Sequence, residues 1–594
     1  MAKWYLMVLL LLPICRADIV LKEEGYLKLP NRDGAQEIDS GTATESAYDS
    51  NSRFLYVVGK FSRVLHVIDV ANVASPAVLQ TFTFDTGTDG YPLDIQVCRN
   101  QAENRAYVAI AFGEQDPSKQ GHVILYSPYI RGETALKPIN APDERITVGI
   151  DPDNIKFTSD CNKLVVSNEG VASVISGEFI DPPGTINIVT IPLTGNPGVK
   201  TIEFTYIDDP AETDRLLALG VRYMVRTNPV QPGVQNPFSN NIEPEYIAVS
   251  PNNAYAYITL QENNAIAKVD LIDDNPATIF PMGWKDFQFS TLDLSDRDAS
   301  PNVHMKRRRV RGLYQPDKIS FLEWGNKLYL LTADEGKPFN LPGASFADNA
   351  RARDLENEYS FPWDTNNQFL ASVLDDTQLG RAIVSLQDGR VGQQITEIYT
   401  FGGRGFSIFD SNTLTREWES GDMIEKFSRW FYPDVFNSGY TVPNFTPIDE
   451  RDTQSPFGGP SINSLAIGTF KGRTVLFFGS GQNGQIYTFQ LQASVTERVE
   501  PEFQSVHRRG QIDGTWTNLY SRGVMGDIGI SDLIVVPEAE SNVAGTPILI
   551  ALSERSGSVS IYTLIDQQFP LNVCSSPPSP FKSMNHHNRT RPLF

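Results

Sequence analysis

One kind of apolar segment recurs along the whole chain. Leu55–Val58, Ala106–Ala109, Leu164–Val166, Ala256–Thr259, Leu328–Leu331, Ile398–Thr400, Val475–Phe478 and Ile548–Ala551 are short runs rich in Val, Ile, Leu, Tyr and Phe. Their starts are about 70 residues apart on average, a spacing that marks a repeat architecture. Several are preceded by an alternating segment that opens on an acidic step, as in Pro92–Val97, Pro152–Phe157, Pro244–Val249 and Pro316–Phe321. Most are followed by a turn and a third segment: 64–70, 122–126, 186–191, 265–271, 406–409, 485–491 and 558–564. β-Branched and aromatic runs bounded by Gly, Asn and Asp read as antiparallel hairpins. Each unit leaves an apolar face that only its neighbours can cover. The pattern therefore predicts an all-β chain folded as a single β-propeller over residues 18–570, not a string of domains. Eight second strands favour eight blades. Seven is the alternative, because the fifth unit lacks a prompt third strand and 336–380 reads as a polar insertion.

The ends of the chain are read apart from the fold. A short basic start, an apolar run from Tyr5 to Ile14 and the small-residue step Cys15-Arg16-Ala17 read as a secretory signal peptide over residues 1–17. The run is too short for a membrane span, and the polar, basic tail 571–594 lacks the apolar end of a GPI signal. A secreted protein of the extracellular matrix is expected. Oxidising surroundings suit a Cys98–Cys161 disulfide between successive repeats and leave Cys574 in the tail. Asn444-Phe-Thr446 and Asn588-Arg-Thr590 are sequons, so Asn444 and Asn588 are candidate glycosylation sites.

The chain carries 71 acidic against 50 basic residues, a formal charge of −21. Such a field repels phosphate backbones and disfavours a nucleic-acid partner, while it suits cations and mineral surfaces. The acidic steps that open the first strands (Asp94, Asp153, Glu243, Glu245 and Asp317) would recur at one end of the channel those strands line. Loops after second strands add Glu169, Glu262, Asp334 and Glu335, and the loop Ser295-Asp-Arg-Asp298 adds Asp296 and Asp298. Carboxylates with backbone carbonyls are the ligands calcium takes, so these residues are the candidate metal ligands and calcium the expected ion. No loop has EF-hand spacing. Shaping of the loops alone would also account for the Pro-acidic steps.

Other motifs carry less. Gly479-Ser-Gly-Gln-Asn-Gly484 matches GxGxxG but lies between two strands, so it reads as a hairpin turn and not a dinucleotide site. There is no GxSxG, HExxH or CxxC. Lys306–Arg309 with Arg311 is a basic tract in an acidic chain, read first as a solvated loop and second as a processing or polysaccharide site.

Pro244–Pro251 running into Ala256–Ala265 closely resembles the skeletogenic mesenchyme-specific cell-surface glycoprotein family. Its bacterial relatives are described as choice-of-anchor or alkaline-phosphatase-like proteins. Leu294–Asp298, Gly312–Asp317, Leu331–Gly336, Tyr399–Asp410 and Ser420–Asp422 extend the resemblance over nearly the whole mature chain. It implies a secreted or surface-tethered glycoprotein of mineral-depositing tissue with a role in calcium carbonate deposition. Where that family carries a Glu pair in its late repeats, this chain has Ser461 and Asn463, and a later Gly-Pro-Glu-Gly step appears as Gly529-Ile-Ser-Asp532.

Two functions follow. The first is an acidic matrix glycoprotein that binds calcium, calcium carbonate mineral, and matrix proteins or polysaccharide. The second is a metal-dependent phosphatase or esterase with a carboxylate-held ion. An enzyme would gather its carboxylates into one cluster at metal distances, whereas a matrix binder would spread them over a face.

Overall fold

The computed structural model describes residues 17–85, 87–139, 145–273, 275–297, 303–359, 361–363, 370–491 and 498–568. Residues 1–16, most of the expected signal peptide, lie outside them, as do Asp298, Cys574 and Asn588.

Seven four-stranded antiparallel sheets follow one another along the described chain. Their innermost strands are Glu45–Asp49, Tyr91–Asn100, Pro152–Phe157, Ile247–Val249, Ile319–Trp324, Ile462–Phe470 and Ile530–Val536. The second strands are the apolar runs of the repeat. Phe54–Gly59, for example, is buried at every position, because neighbouring sheets cover both its faces. The seventh sheet takes its outer strand from the other end of the chain: Ala17–Lys28 pairs antiparallel with Ser558–Gln568.

The apolar cores lie between successive sheets. Val58, Phe82, Ile95 and Phe112 join the first to the second. Phe406, Phe478 and Phe489 join the fifth to the sixth, with Phe406 stacked on Phe478 at 3.8 Å between centroids. Leu55, Val57, Ile550 and Ile561 join the seventh back to the first. The Cys98–Cys161 disulfide is formed, with 5.9 Å between Cα atoms, and it ties the second sheet to the third inside their shared core.

The spacing of second strands counts eight units, and the structure shows where the extra one arises. Ile398–Thr400 is not the second strand of a hairpin repeat. Tyr399–Phe401 instead pairs in parallel with Arg311–Leu313 in a five-stranded sheet that also holds Trp284–Asp286, Asn349–Arg351 and Ile383–Ser385. The fifth repeat is interrupted: its second strand, Lys327–Asp334, pairs with Gly405–Asp410 across an excursion of residues 335–404. The insertion read at 336–380 therefore runs further, to the third strand.

Turns follow local rules. Gly484, at φ 71°, closes the hairpin between Arg473–Ser480 and Gln485–Leu491, as expected for the GxGxxG run. A Cβ there would stand 2.3 Å from the Asp527 carbonyl oxygen, so only glycine fits. Asn444 is exposed in the loop after Met423–Phe431.

Candidate metal centre

The seven inner strands surround one cavity of about 400 Å³, lined among others by Ser46, Gln96, Asn154, Ile247, Ser320, Leu465 and Asp532. Four of these strands carry a bulge where they meet their second strands, between Pro92 and Asp94, Pro152 and Asn154, Ile462 and Ser464, and Ile530 and Asp532. A bulge re-aims the side chains beside it, which is how one strand end can serve both the hydrogen-bond ladder and the channel.

Next to this cavity, at the end where the inner strands begin and which forms its acidic mouth, the third, fourth and fifth sheets bring carboxylates together. Glu169 follows the second strand Lys163–Asn168, and Glu262 follows Tyr255–Leu260 two residues on. Glu245 lies just ahead of Ile247–Val249 and is held by its N–H, which donates to the Thr259 carbonyl at 2.9 Å. Fully buried Asn263 braces the Glu262 turn. Its amide donates to the carbonyls of Arg222 (3.0 Å) and Asn241 (2.7 Å) and accepts from the Glu243 N–H (3.2 Å). One oxygen from each of Glu169, Glu245 and Glu262 lies within 4.8 Å of the others. Glu245 and Glu262 are only 5% and 2% exposed, and Oε2 of each is buried without a hydrogen-bond partner among the described residues.

Further acids crowd this triad. Burial, with repulsion from Glu262 and Glu169, drives the Glu243 carboxyl well above its ordinary range. Glu245 is raised likewise by burial and Glu262. Glu169 is pushed up to about 8 by burial, against the pull of Lys337, with Asp153 and Asp151 adding to the rise. Asp317 is raised by burial and by Glu335. Such shifts register negative charge held out of water without enough positive charge beside it. Two lysines reach in. Lys337 Nζ stands 2.7 Å from Glu262 Oε1 and 3.5 Å from Glu245 Oε1, while Lys60 feels Asp151, Asp153 and Glu169. Glu335 is already engaged, since it accepts from Ser461 Oγ at 2.6 Å and Gln261 Nε2 at 3.2 Å.

Hard carboxylate oxygens, two of them buried and unpartnered, form a donor set that fits calcium. Glu169, Glu245 and Glu262 would be the direct ligands, with Glu243, Asp153 and Asp317 as the surrounding charge.

A second ionic group lines the cavity itself. Lys318 Nζ is 2.7 Å from Asp532 Oδ1 and 3.2 Å from Glu45 Oε2. Tyr246 donates to Glu45 at 2.8 Å, and Ser46 to Asp532 at 2.8 Å. Asp94 is fully buried beside this group, and its oxygens accept from the N–H groups of Ile95 and Ile155 and from Asn154 Nδ2.

Two expected ligands are spent elsewhere. Asp334 is one residue from Glu335, but strand alternation turns it inward, where it accepts from Thr332 (2.7 Å) and Ser407 (2.5 Å). Burial raises its carboxyl to about 7. Asp296 forms a bidentate pair with Arg381 at 2.6 and 2.7 Å. Asp298 lies outside the described residues. The sequence does not single out Lys337 or Lys60; Lys337 shows there as a Lys two residues beyond Glu335 in an otherwise acidic loop.

The model of the choice-of-anchor I domain matches residues 44–494. The chain belongs to the choice-of-anchor I domain family. The match covers every element that builds the mouth. Among curated proteins, the mesenchyme-specific cell surface glycoprotein of Strongylocentrotus purpuratus is 30% identical over 396 residues, 61% of this chain. The match spans 50% of that relative's own length. Gigasin-3a of Magallana gigas is 29% identical over 204 residues, covering 34% of this chain and 70% of that protein. Among solved structures, the β-propeller domain of Myceliophteria thermophila Cps50 (Swd1) aligns at TM-score 0.39 and 8% identity over 91% of this chain and 100% of that one. Ser461 and Asn463, which stand where the resemblance expects glutamates, fall at the mouth: Ser461 caps Glu335, and Asn463 holds the bulge position of the sixth inner strand.

Proposed function

We infer that this chain is an extracellular glycoprotein of a mineralising matrix that holds calcium at the mouth of its channel through Glu169, Glu245 and Glu262. The observation that carries this is the convergence of three carboxylates on one point, with Oε2 of Glu245 and of Glu262 buried and unpartnered. The name of the Strongylocentrotus purpuratus relative, a cell surface glycoprotein, supports an extracellular setting. The seven sheets are best read as blades of one closed seven-bladed propeller. Support comes from the core that returns from the seventh sheet to the first and from the N-terminal strand that completes the seventh. Mineral and matrix partners would meet the acidic mouth, and the effect on carbonate precipitation would be lost on heat denaturation.

Convergence is also the arrangement a metal-dependent phosphatase or esterase would need, and this keeps that second reading. The loss of late glutamates at Ser461 and Asn463 weighs against it. Calcium titration by calorimetry, with phosphate-ester turnover measured on the same sample, separates the two. Saturable binding that disappears in Glu245→Gln/Glu262→Gln, without turnover, is the expected result. Turnover abolished by chelator and restored by metal would replace the matrix reading with the hydrolase. Unchanged calcium binding in the double variant would remove the triad as the site.

A further inference from the structure

The triad is already in contact with a positive charge, and that charge is built into the chain. Lys337 Nζ pairs with Glu262 and Glu245, the two residues whose other oxygens are unpartnered. Its backbone is clamped. The buried Gln315 side chain donates to the Lys337 carbonyl at 2.8 Å and accepts from its N–H at 3.3 Å. Gly336 before it, at φ 80°, lies so close to Gly402 that a Cβ would meet the Gly402 nitrogen at 2.0 Å, and Pro338 follows. The side chain is not clamped. It is 49% exposed, against 2% for Glu262, and a flexible four-carbon stem can carry its ammonium out to solvent while the backbone stays put.

The geometry points to Lys337 as the resident cation of the mouth and the determinant of its ionic selectivity: a divalent ion takes the triad by displacing the ammonium. This inference rests on the calcium reading of the same site. Exchange of one unit positive charge for another gains nothing electrostatically, so a monovalent ion has no drive to expel a tethered ammonium. A divalent ion adds a net charge to carboxylates short of it, and the released ammonium recovers its hydration. Lys337 thus lowers calcium affinity while it excludes sodium and potassium. It also makes occupancy visible at the base of the 335–404 excursion, which begins two residues earlier.

The test combines Lys337→Gln with chemical labelling. A cation within contact distance lowers a carboxylate's proton affinity by about one to three orders of magnitude, and a metal ion in the triad would face the same repulsion from Lys337. Lys337→Gln is therefore expected to bind calcium about tenfold more tightly or better by calorimetry. At constant ionic strength, its calcium affinity should fall when choline chloride is replaced by potassium chloride, whereas the wild-type affinity should be equal in both salts. In the wild-type protein, acetylation of Lys337 by an amine-specific ester, read by peptide mass spectrometry, should rise with calcium in step with occupancy. It should not respond in Glu245→Gln/Glu262→Gln. If the wild type binds calcium but Lys337 labelling is flat and Lys337→Gln binds no better, the exchange is wrong and the calcium reading survives. If only Lys337→Gln binds calcium, the ammonium is a permanent occupant and exchange is again refuted. If neither binds, the calcium reading itself falls.

Discussion

Replacement of Lys318 by Met tests the charge balance of the inner channel. Lys318 neutralises Glu45 and Asp532, whose side chains are only 14% and 12% exposed. Removal of one partner from a buried ion pair costs about 3–5 kcal/mol, because the remaining charge stays out of water. Tyr246, Ser46 and the Leu533 N–H still donate to the two carboxylates, which places the expected loss near the lower end, about 3 kcal/mol at pH 8. The loss should depend on pH, and its sign is fixed. Burial already raises the Glu45 carboxyl well above 4.5, and Lys318 is the main influence opposing that rise. Without Lys318 the folded-state value climbs further above the unfolded one. An acid raised on folding resists ionisation in the native state, so the variant's deficit is small near pH 4.5 and grows as pH rises. Urea unfolding of both proteins at pH 5 and pH 8 measures this. A deficit below about 1 kcal/mol at pH 8, the range of an exposed pair, would refute the reasoning. So would an equal deficit at both pH values. Lys318→Met/Glu45→Gln/Asp532→Asn, which removes all three charges, should recover most of the loss.

Three further outcomes are expected. Loss of the Cys98–Cys161 bridge, by Cys98→Ala/Cys161→Ala, frees a loop with a sequence separation of 63 residues and should cost about 4 kcal/mol in urea unfolding. Gly484→Ala forces a Cβ to within 2.3 Å of the Asp527 carbonyl at a left-handed φ, so a loss of about 1–3 kcal/mol is expected by the same assay. Arg404→Met leaves Glu425, 2% exposed, without its cation and removes donors to the Asp293, Ser455 and Phe457 carbonyls. The expected loss is about 3–5 kcal/mol, with faster limited proteolysis in the 433–461 loop that Arg404 anchors.

Much of this architecture is legible in sequence because hairpins are local. The strand–turn–strand pattern sets each four-stranded unit within a few dozen residues, and seven of the eight second strands fall where the spacing places them. Ile398–Thr400 misleads because its composition suits a second strand, while its partner, Arg311–Leu313, lies nearly ninety residues away in a parallel pairing that no hairpin signal announces. Ala17–Lys28 is hidden for a related reason: its partner is at the other end of the chain. At the mouth, Glu169, Glu245 and Glu262 are legible because each sits at a repeated position, at a second-strand end or a first-strand start. Asp296 is not, because its role is decided by Arg381, 85 positions away. Asp334 and Glu335 differ only by strand alternation, which composition does not reveal.

Lys318 and Lys337 show how one device serves two ends. Both come from the fifth repeat, and each lies among carboxylates supplied largely by other sheets. Around Lys318 every carboxylate oxygen of Glu45 and Asp532 has a donor: Tyr246, Ser46, the Leu533 N–H or the ammonium itself. That group is complete, and an incoming ion would find no free ligand. Around Lys337, Glu245 Oε2 and Glu262 Oε2 have none, and the ammonium side chain is half open to solvent. A satisfied network rigidifies a fold, whereas an unsatisfied one stores unfavourable charge that a ligand can relieve. The inner lysine therefore belongs to stability and the outer one to binding. Lys318→Met should weaken the fold with or without calcium, whereas Lys337→Gln, which leaves buried Glu262 without its cation, should weaken the calcium-free fold, bind calcium more tightly and regain its urea stability at saturating calcium. The opposite pairing of effects would mean that the unpartnered oxygens at the mouth do not mark the binding site.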